Sequence, residues 1–316
     1  MTPTDLVDAN LLRTMIVVAT PLLVAALGEL VLERAGILNL AIEGMVTLGA
    51  AAAFVVLFAM AGLTGGVALS LLSAATAATV VGLVLAYLCV GLRANQITVG
   101  LGLLIFSLGA ASLLYRAVVG VTTSPPRVPT LTPEAVPGLA EIPYLGTVLF
   151  RHNLFVYAAL LLVVPVWWLL FRTPLGLRIR ATGENPKSAD SLGLPVQRIR
   201  YGAVLAGSAL IGLAGAFFPL VLTGGWSEST VGGRGWLALM LVIFGRWRPW
   251  QVVAGALLFA YVDAVGFVFA ATSRLIPVQF LQMLPYVLAI AVLVQVYQRA
   301  QAPAALAKPY DREARY

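Results

Sequence analysis

The sequence predicts an all-α fold: a polytopic transmembrane helical bundle of about eight to ten spans, with a weak echo between its two ends that reads either as an inverted repeat or as chance similarity. Three observations carry this. Of 316 residues, 60% are hydrophobic. Only 10% are charged, against roughly 25% in an ordinary soluble domain. The mean hydropathy is +0.96. Such a chain has more apolar surface than a water-soluble core can hide, and a bilayer removes the difficulty.

The elements follow in order. Met1 to Asn10 carries Asp5 and Asp8 and no basic residue. It lacks the basic start and small-residue cleavage site of a signal peptide, so the first apolar segment is expected to stay in the mature protein. A span needs about 20 mostly apolar residues. Eight segments qualify: Leu11–Leu32, Ile37–Met60, Val67–Leu92, Ile97–Val118, Leu154–Phe171, Tyr201–Leu222, Trp250–Ala271 and Phe280–Tyr297. Trp236–Phe244 is too short to span alone and ends at Arg246-Trp247-Arg248-Pro249, so it reads as a half-helix or a short tilted span. On this topology the triplet 39–115 and the triplet 232–297 run in opposite directions, which reads either as an inverted repeat, a common transporter plan with the site at the repeat interface, or as chance similarity between Ala/Leu/Gly-rich segments.

Orientation follows from Lys and Arg in short loops. Residues 172–200 hold Arg172, Arg178, Arg180, Lys187, Arg198 and Arg200, which predicts a cytoplasmic loop. Residues 299–316 hold Arg299, Lys308, Arg312 and Arg315, a cytoplasmic tail. Residues 119–150 fit an extracytoplasmic loop, with six prolines from Pro125 to Pro143. Residues 1–298 then form one transmembrane domain with its N-terminus outside, an assignment that a broken helix near Asn39 would reverse. The net charge of +7 does not point to nucleic acid, because the basic residues lie where the positive-inside rule puts them. Cys89 is the sole cysteine, so no intramolecular disulfide exists.

Polar residues in apolar surroundings are candidates for function. Glu29, Glu33, Arg34, Asn39 and Glu43 cluster between Gly28 and Gly44, where glycines permit a broken helix. The run reads as a substrate path or gate near Asn39 and Glu43, or as a turn with Glu33 and Arg34 paired to each other. Gln96 and Ser107 lie beside or within spans and could offer hydrogen bonds to a polar solute, though helix–helix bonding explains them as well. Asp263 lies within a span and could line a cavity, carry a proton or bond a neighbouring helix.

The stretch Arg180–Pro195 is punctuated as a short helix. Asn185 suits the N-cap and Pro186 the first helical position; Gly193 suits the C′ position and Pro195 blocks continuation. An exposed, capped helix on that side could dock a cytosolic partner or simply link two spans. Gly224–Gly235 has five glycines in twelve residues and reads as an external turn leading into a close-packed helix. No GxxxxGK[ST] phosphate loop, GxSxG or HExxH occurs, and no Cys/His cluster suggests a metal. His152 beside Arg151 reads as interfacial.

Four runs together resemble one family. They are ERAGILNLAIEGM (Glu33–Met45), RATGENPKSADSLGLPVQRIRY (Arg180–Tyr201), GLAGAFFPL (Gly212–Leu220) and GGRGWLALMLVIFGRWRP (Gly232–Pro249). These are similar to the permeases of nucleoside-type ABC importers, in the wider group with ribose and branched-chain amino acid permeases. The resemblance spans Glu29 to Tyr297 and is more specific for the broad group than for nucleosides. It implies a second homologous permease, a cytosolic ABC ATPase that binds the ATP, an extracytoplasmic substrate-binding lipoprotein, and a bacterial cytoplasmic membrane whose lipid surrounds the bundle. No cofactor is expected in this chain, and no catalytic or metal residue. Carried over, Glu184, Asn185, Pro186, Lys187, Ala189, Asp190 and Leu192 become the ATPase-coupling segment. Ribose relatives suggest ten spans, against the eight or nine counted here. Two other classes compete: an ion-coupled secondary carrier using Glu43 and Asp263, which would work alone on an ion gradient, and a lipid-modifying membrane enzyme, which would need a cluster of titratable groups at one face. A simple sugar is the alternative solute.

Overall fold

The computed structural model describes residues 8–60, 65–121, 125–272, 277–296 and 301–311. It is an all-α membrane bundle. Seven helices are long and apolar enough to cross a bilayer, and two shorter apolar helices join them.

Helix α1 (Ala9–Arg34) is the central post. Asp8 caps it by accepting from the Asn10 N–H. Its 26 residues reach about 39 Å at 1.5 Å per residue. It ends in a Schellman turn: Gly36 adopts φ 87°, the Ile37 N–H bonds the Leu32 carbonyl and the Gly36 N–H bonds the Glu33 carbonyl. The continuous span Ile37–Met60 expected from the sequence does not form. Residues 37–41 stay non-helical, and α2 (Ile42–Ala59) starts only after them.

Helix α3 (Gly66–Ala86) continues through a π-helical turn to Gly91, and Asn95 caps α4 (Gln96–Val119). On the far face β1 (Glu134–Ala135) pairs antiparallel with β2 (Arg151–His152) around α5 (Leu145–Leu149). Helix α6 (Leu154–Arg172) returns, and α7 (Pro174–Glu184) and α8 (Pro186–Ser191) lie on the basic face. Then follow α9 (Val196–Phe217, extended by a π turn to Thr223), α10 (Arg234–Phe244), α11 (Pro249–Thr272) and α12 (Val278–Val296).

The core is α1, α2 and α9. Gly28 and Gly207 let α1 and α9 touch backbone to backbone, and a Cβ built on either would sit 2.5 Å from the other's carbonyl oxygen. In lipid the hydrophobic drive between helices is weak, and such close packing replaces it. Helices α3, α4, α6 and α12 keep apolar faces exposed, as expected of lipid- or partner-facing surfaces: Ile105, Phe106, Leu161 and Ile290 are examples. Helix α9 packs on α2 and α3, while α1 packs on α10 and α11.

Candidate translocation and coupling site

Two helix N-termini meet beside the broken segment. Helices α2 and α10 both begin after non-helical segments, and Glu43, in the first turn of α2, caps α10. Its Oε1 accepts the Gly233 N–H at 2.8 Å and its Oε2 the Gly235 N–H at 2.6 Å. A helix N-terminus carries unpaired N–H groups and partial positive charge, so a carboxylate is the fitting partner there. Gly235 is required by contact: a Cβ there would lie 2.6 Å from both Cα and Oε2 of Glu43.

Around this joint sit three more polar side chains. Arg234 pairs with Asp263 of α11 at 3.2 Å, with side chains 24% and 20% exposed, and lies over the Phe218 ring. The Tyr286 hydroxyl of α12 donates to the Gly232 carbonyl at 2.9 Å. The group is partly open, unlike the sealed core beside it. It offers both donors and acceptors where α2, α10, α11 and α12 converge.

Below the joint the broken segment 37–41 is held by its neighbours. Glu29 accepts the backbone N–H of Asn39 at 3.2 Å and its side-chain amide at 3.1 Å. Asn39 Oδ1 accepts the Ala41 N–H at 3.0 Å. Gln96 accepts the Leu38 N–H at 2.7 Å. Backbone freed from a helix inside a membrane must find partners in protein or water, and these three side chains supply them. Ser107 is fully buried and packs against Gly44.

The basic face carries the second part. Glu33 and Arg34 do not pair with each other there. The Trp247 indole donates to Glu33, and Arg34 donates to the Trp247 carbonyl at 3.0 and 2.6 Å. They clamp the turn Gly245–Arg248 that follows α10. Arg200, 1% exposed, donates to the Thr182 carbonyl at the end of α7 and lies against Gly36. Gly183 packs directly on the Arg34 carbonyl. The tail crosses the same place: the Ala305 N–H bonds the Gly183 carbonyl at 2.9 Å, the Ala304 N–H bonds Glu184 at 3.2 Å, and Asp311 pairs with Arg93 at 2.9 Å. The end of α7 therefore rests on the break between α1 and α2, and α8 follows directly from it.

Helix α8 has the local structure its punctuation predicts. Asn185 Oδ1 accepts the Ser188 N–H at 3.0 Å, Pro186 opens the helix and Gly193 adopts φ 80°. Six residues are helical, Pro186–Ser191. Glu184, Asn185, Lys187 and Leu192 are exposed, and Leu192 is 82% so. Pro186 and Asp190 are half-buried, and Ala189 is 3% exposed, turned inward. Of the residues singled out for a substrate path, only Glu43 belongs to the partly open cluster; Asn39, Gln96 and Ser107 are enclosed. Asp263 joins Glu43 there. Arg234 and Tyr286 were missed, although Arg234 stood in a glycine-rich run next to a span. His152 is buried within the protein, two residues before α6 begins.

The sequence profile described as "Branched-chain amino acid transport system / permease component" matches residues 11–294. A Haloferax volcanii protein named as a glucose ABC transporter permease is 35% identical, covering 96% of this chain and 98% of its own length. The guanosine ABC transporter permease of Bacillus subtilis is 31% identical, over 93% and 94% of the two chains. The nucleoside ABC transporter permease of Lactococcus lactis is 33% identical, again over 93% and 94%. Among solved structures, an inward-facing metal-chelate type ABC transporter aligns with TM-score 0.51 at 19% identity, over 91% of this chain and 85% of that one. That last likeness concerns the fold.

Proposed function

The chain belongs to the family of branched-chain amino acid transport system permease components and is the multi-pass permease subunit of an ABC transporter; from that premise we propose that it imports nucleosides. The observation that carries the substrate is the full-length similarity to two permeases named for guanosine and for nucleosides. The partly open cluster of Glu43, Arg234, Asp263 and Tyr286 supports it, since a ribose and a base present both hydroxyl donors and ring acceptors.

In this reading a cytosolic ATPase supplies the energy and binds on the basic face through Glu184–Leu192. Differential contact with the ATPase's two states drives the change, because a partner binding both states equally would shift nothing. The clamp at Trp247 and the seat of Gly183 on Arg34 lie between α8 and the α2–α10 joint. A shift of α7–α8 would therefore reach the half-helices through contiguous backbone contacts. A second homologous permease covers part of the exposed apolar surface, a binding lipoprotein delivers solute to the face carrying β1 and β2, and the membrane is the bacterial cytoplasmic membrane.

A simple sugar is the second reading, and the glucose-type relative favours it. The test is uptake of labelled guanosine, adenosine and glucose by cells with and without this chain. Loss of nucleoside uptake alone is expected. Loss of glucose uptake alone replaces the nucleoside by the sugar. Uptake by the purified chain alone, on an ion gradient without an ATPase, overturns both.

A further inference from the structure

Two cavities meet on the face opposite α8. A polar crevice of about 390 Å³ and an apolar groove of about 370 Å³ share Leu131 in their walls. The groove is walled by Val24, Leu71, Phe155, Leu162 and Leu213, from α1, α3, α6 and α9. The crevice is walled by Asn10, Arg13, Thr130, Arg151 and His152. Helix α1 runs along both, from Asn10 in the crevice to Val24 in the groove, about 21 Å at 1.5 Å per residue.

The crevice is one-sided in charge. Two guanidinium groups line it, and among the described residues no carboxylate does. Arg13 donates its Nε–H to the Arg151 carbonyl at 3.1 Å, and Arg151 donates one Nη–H to the Ala140 carbonyl at 3.3 Å. Each guanidinium has five N–H donors, so each keeps several to offer.

His152 adds a second, independent observation. It is 1% exposed, and its Nε2 lies 2.8 Å from the Val148 carbonyl. A carbonyl only accepts, so Nε2 carries the proton. Burial, with the nearby Arg13 charge, holds the imidazole below the ordinary histidine range against the opposing pull of the Val148 carbonyl, so it is neutral at neutral pH. Nδ1 is then an acceptor, buried and without a partner among the described residues. It calls for a hydroxyl or N–H donor.

We infer that crevice and groove form one site for an anionic phospholipid with a hydroxyl-bearing headgroup. Arg13 and Arg151 take the phosphate, a headgroup hydroxyl donates to His152, and one acyl chain lies along the groove. Lipid tails around the protein are as apolar as the groove itself. The acyl chain therefore fixes the lipid's position, and selectivity comes from the charged end. A zwitterionic lipid lacks the net charge and, with a choline headgroup, the hydroxyl.

The experiment is native mass spectrometry of the purified full chain in detergent, with phosphatidylglycerol and phosphatidylcholine added at equal concentration. Preferential retention of phosphatidylglycerol is expected. In the double variant Arg13→Gln and Arg151→Gln, that retention falls by about tenfold or more, the scale of losing one charge-assisted hydrogen bond. Ala158→Trp fills the exposed side of the groove and leaves both arginines intact, and it lowers retention too. Size-exclusion profiles and helical circular dichroism check that each variant is folded. Equal retention of the two lipids, or an unchanged preference in the folded double variant, overturns the proposal. Retention unaffected by Ala158→Trp, or displacement of the lipid by millimolar inorganic phosphate, makes this a site for a free anion and overturns it as well.

Discussion

Glu43 gives one carboxylate oxygen to each of two N–H groups, Oε1 to Gly233 and Oε2 to Gly235. Glutamine has the same shape but only one acceptor oxygen, and its amide N–H₂ would face the second N–H donor to donor. Glu43→Gln should therefore cost about 1–3 kcal/mol, the range for leaving one buried donor unsatisfied. The measurement is the melting temperature of the purified protein beside Glu43→Asp, whose shorter side chain keeps both acceptors but cannot span the gap. Unchanged melting in both variants would remove Glu43 as the cap of α10. Glu43 was legible in the sequence because a carboxylate in an apolar run stands out. Its partner was not, because a backbone N–H has no letter of its own. Arg234 and Asp263 show the same limit: each is visible singly, and only the turn of α10 against α11 makes them a pair at 3.2 Å.

At the scale of elements, α8 separates two kinds of residue. Asn185 caps it and Ala189 anchors it, while Leu192 projects outward at 82% exposure. Asn185→Ala removes the cap and should cost about 1 kcal/mol, seen as lower melting. Leu192→Asp touches nothing that holds the fold, so melting should stay the same while uptake, and ATP hydrolysis in the assembled complex, fall. Normal uptake by Leu192→Asp would exclude this end of α8 from the ATPase contact. The helix was legible because Asn185-Pro186 and Gly193 act locally, each through its own backbone position. Helix α7 was missed, although Thr173-Pro174 gives the same start signal and Thr173 does cap Gly176. The break at 37–41 was half legible. Glycines and polar residues announced it, but the apolar run beyond Glu43 hid where α2 begins, and the bonds that satisfy the open backbone come from Glu29 on the preceding helix and from Gln96 on α4.

For the whole molecule, the decisive geometry is which elements share a face. Residues 37–41 leave the helical path, yet the chain still reverses across them: Asn39 lies back beside Glu29 of α1, Arg34 meets the end of α10 and Glu43 its start. Arg13, near the start of α1, bonds Arg151 of β2, and Ala304 of the tail bonds Glu184 of α7, so the start of α1 lies with β1 and β2 and the tail with α7 and α8. Positive charge then decides which side is the cytoplasm, and the basic residues of 172–200 choose the α8 face. A labelling experiment tests this cleanly, because the native Cys89 is 1% exposed and should stay silent. Glu134→Cys on β1 should react with a membrane-impermeant maleimide in intact spheroplasts. Lys187→Cys on α8 should react only after the membrane is opened. Labelling of the Lys187→Cys variant in intact spheroplasts would invert the bundle. It would put α8 beyond reach of any cytosolic ATPase and leave the nucleotide-driven mechanism without a docking face.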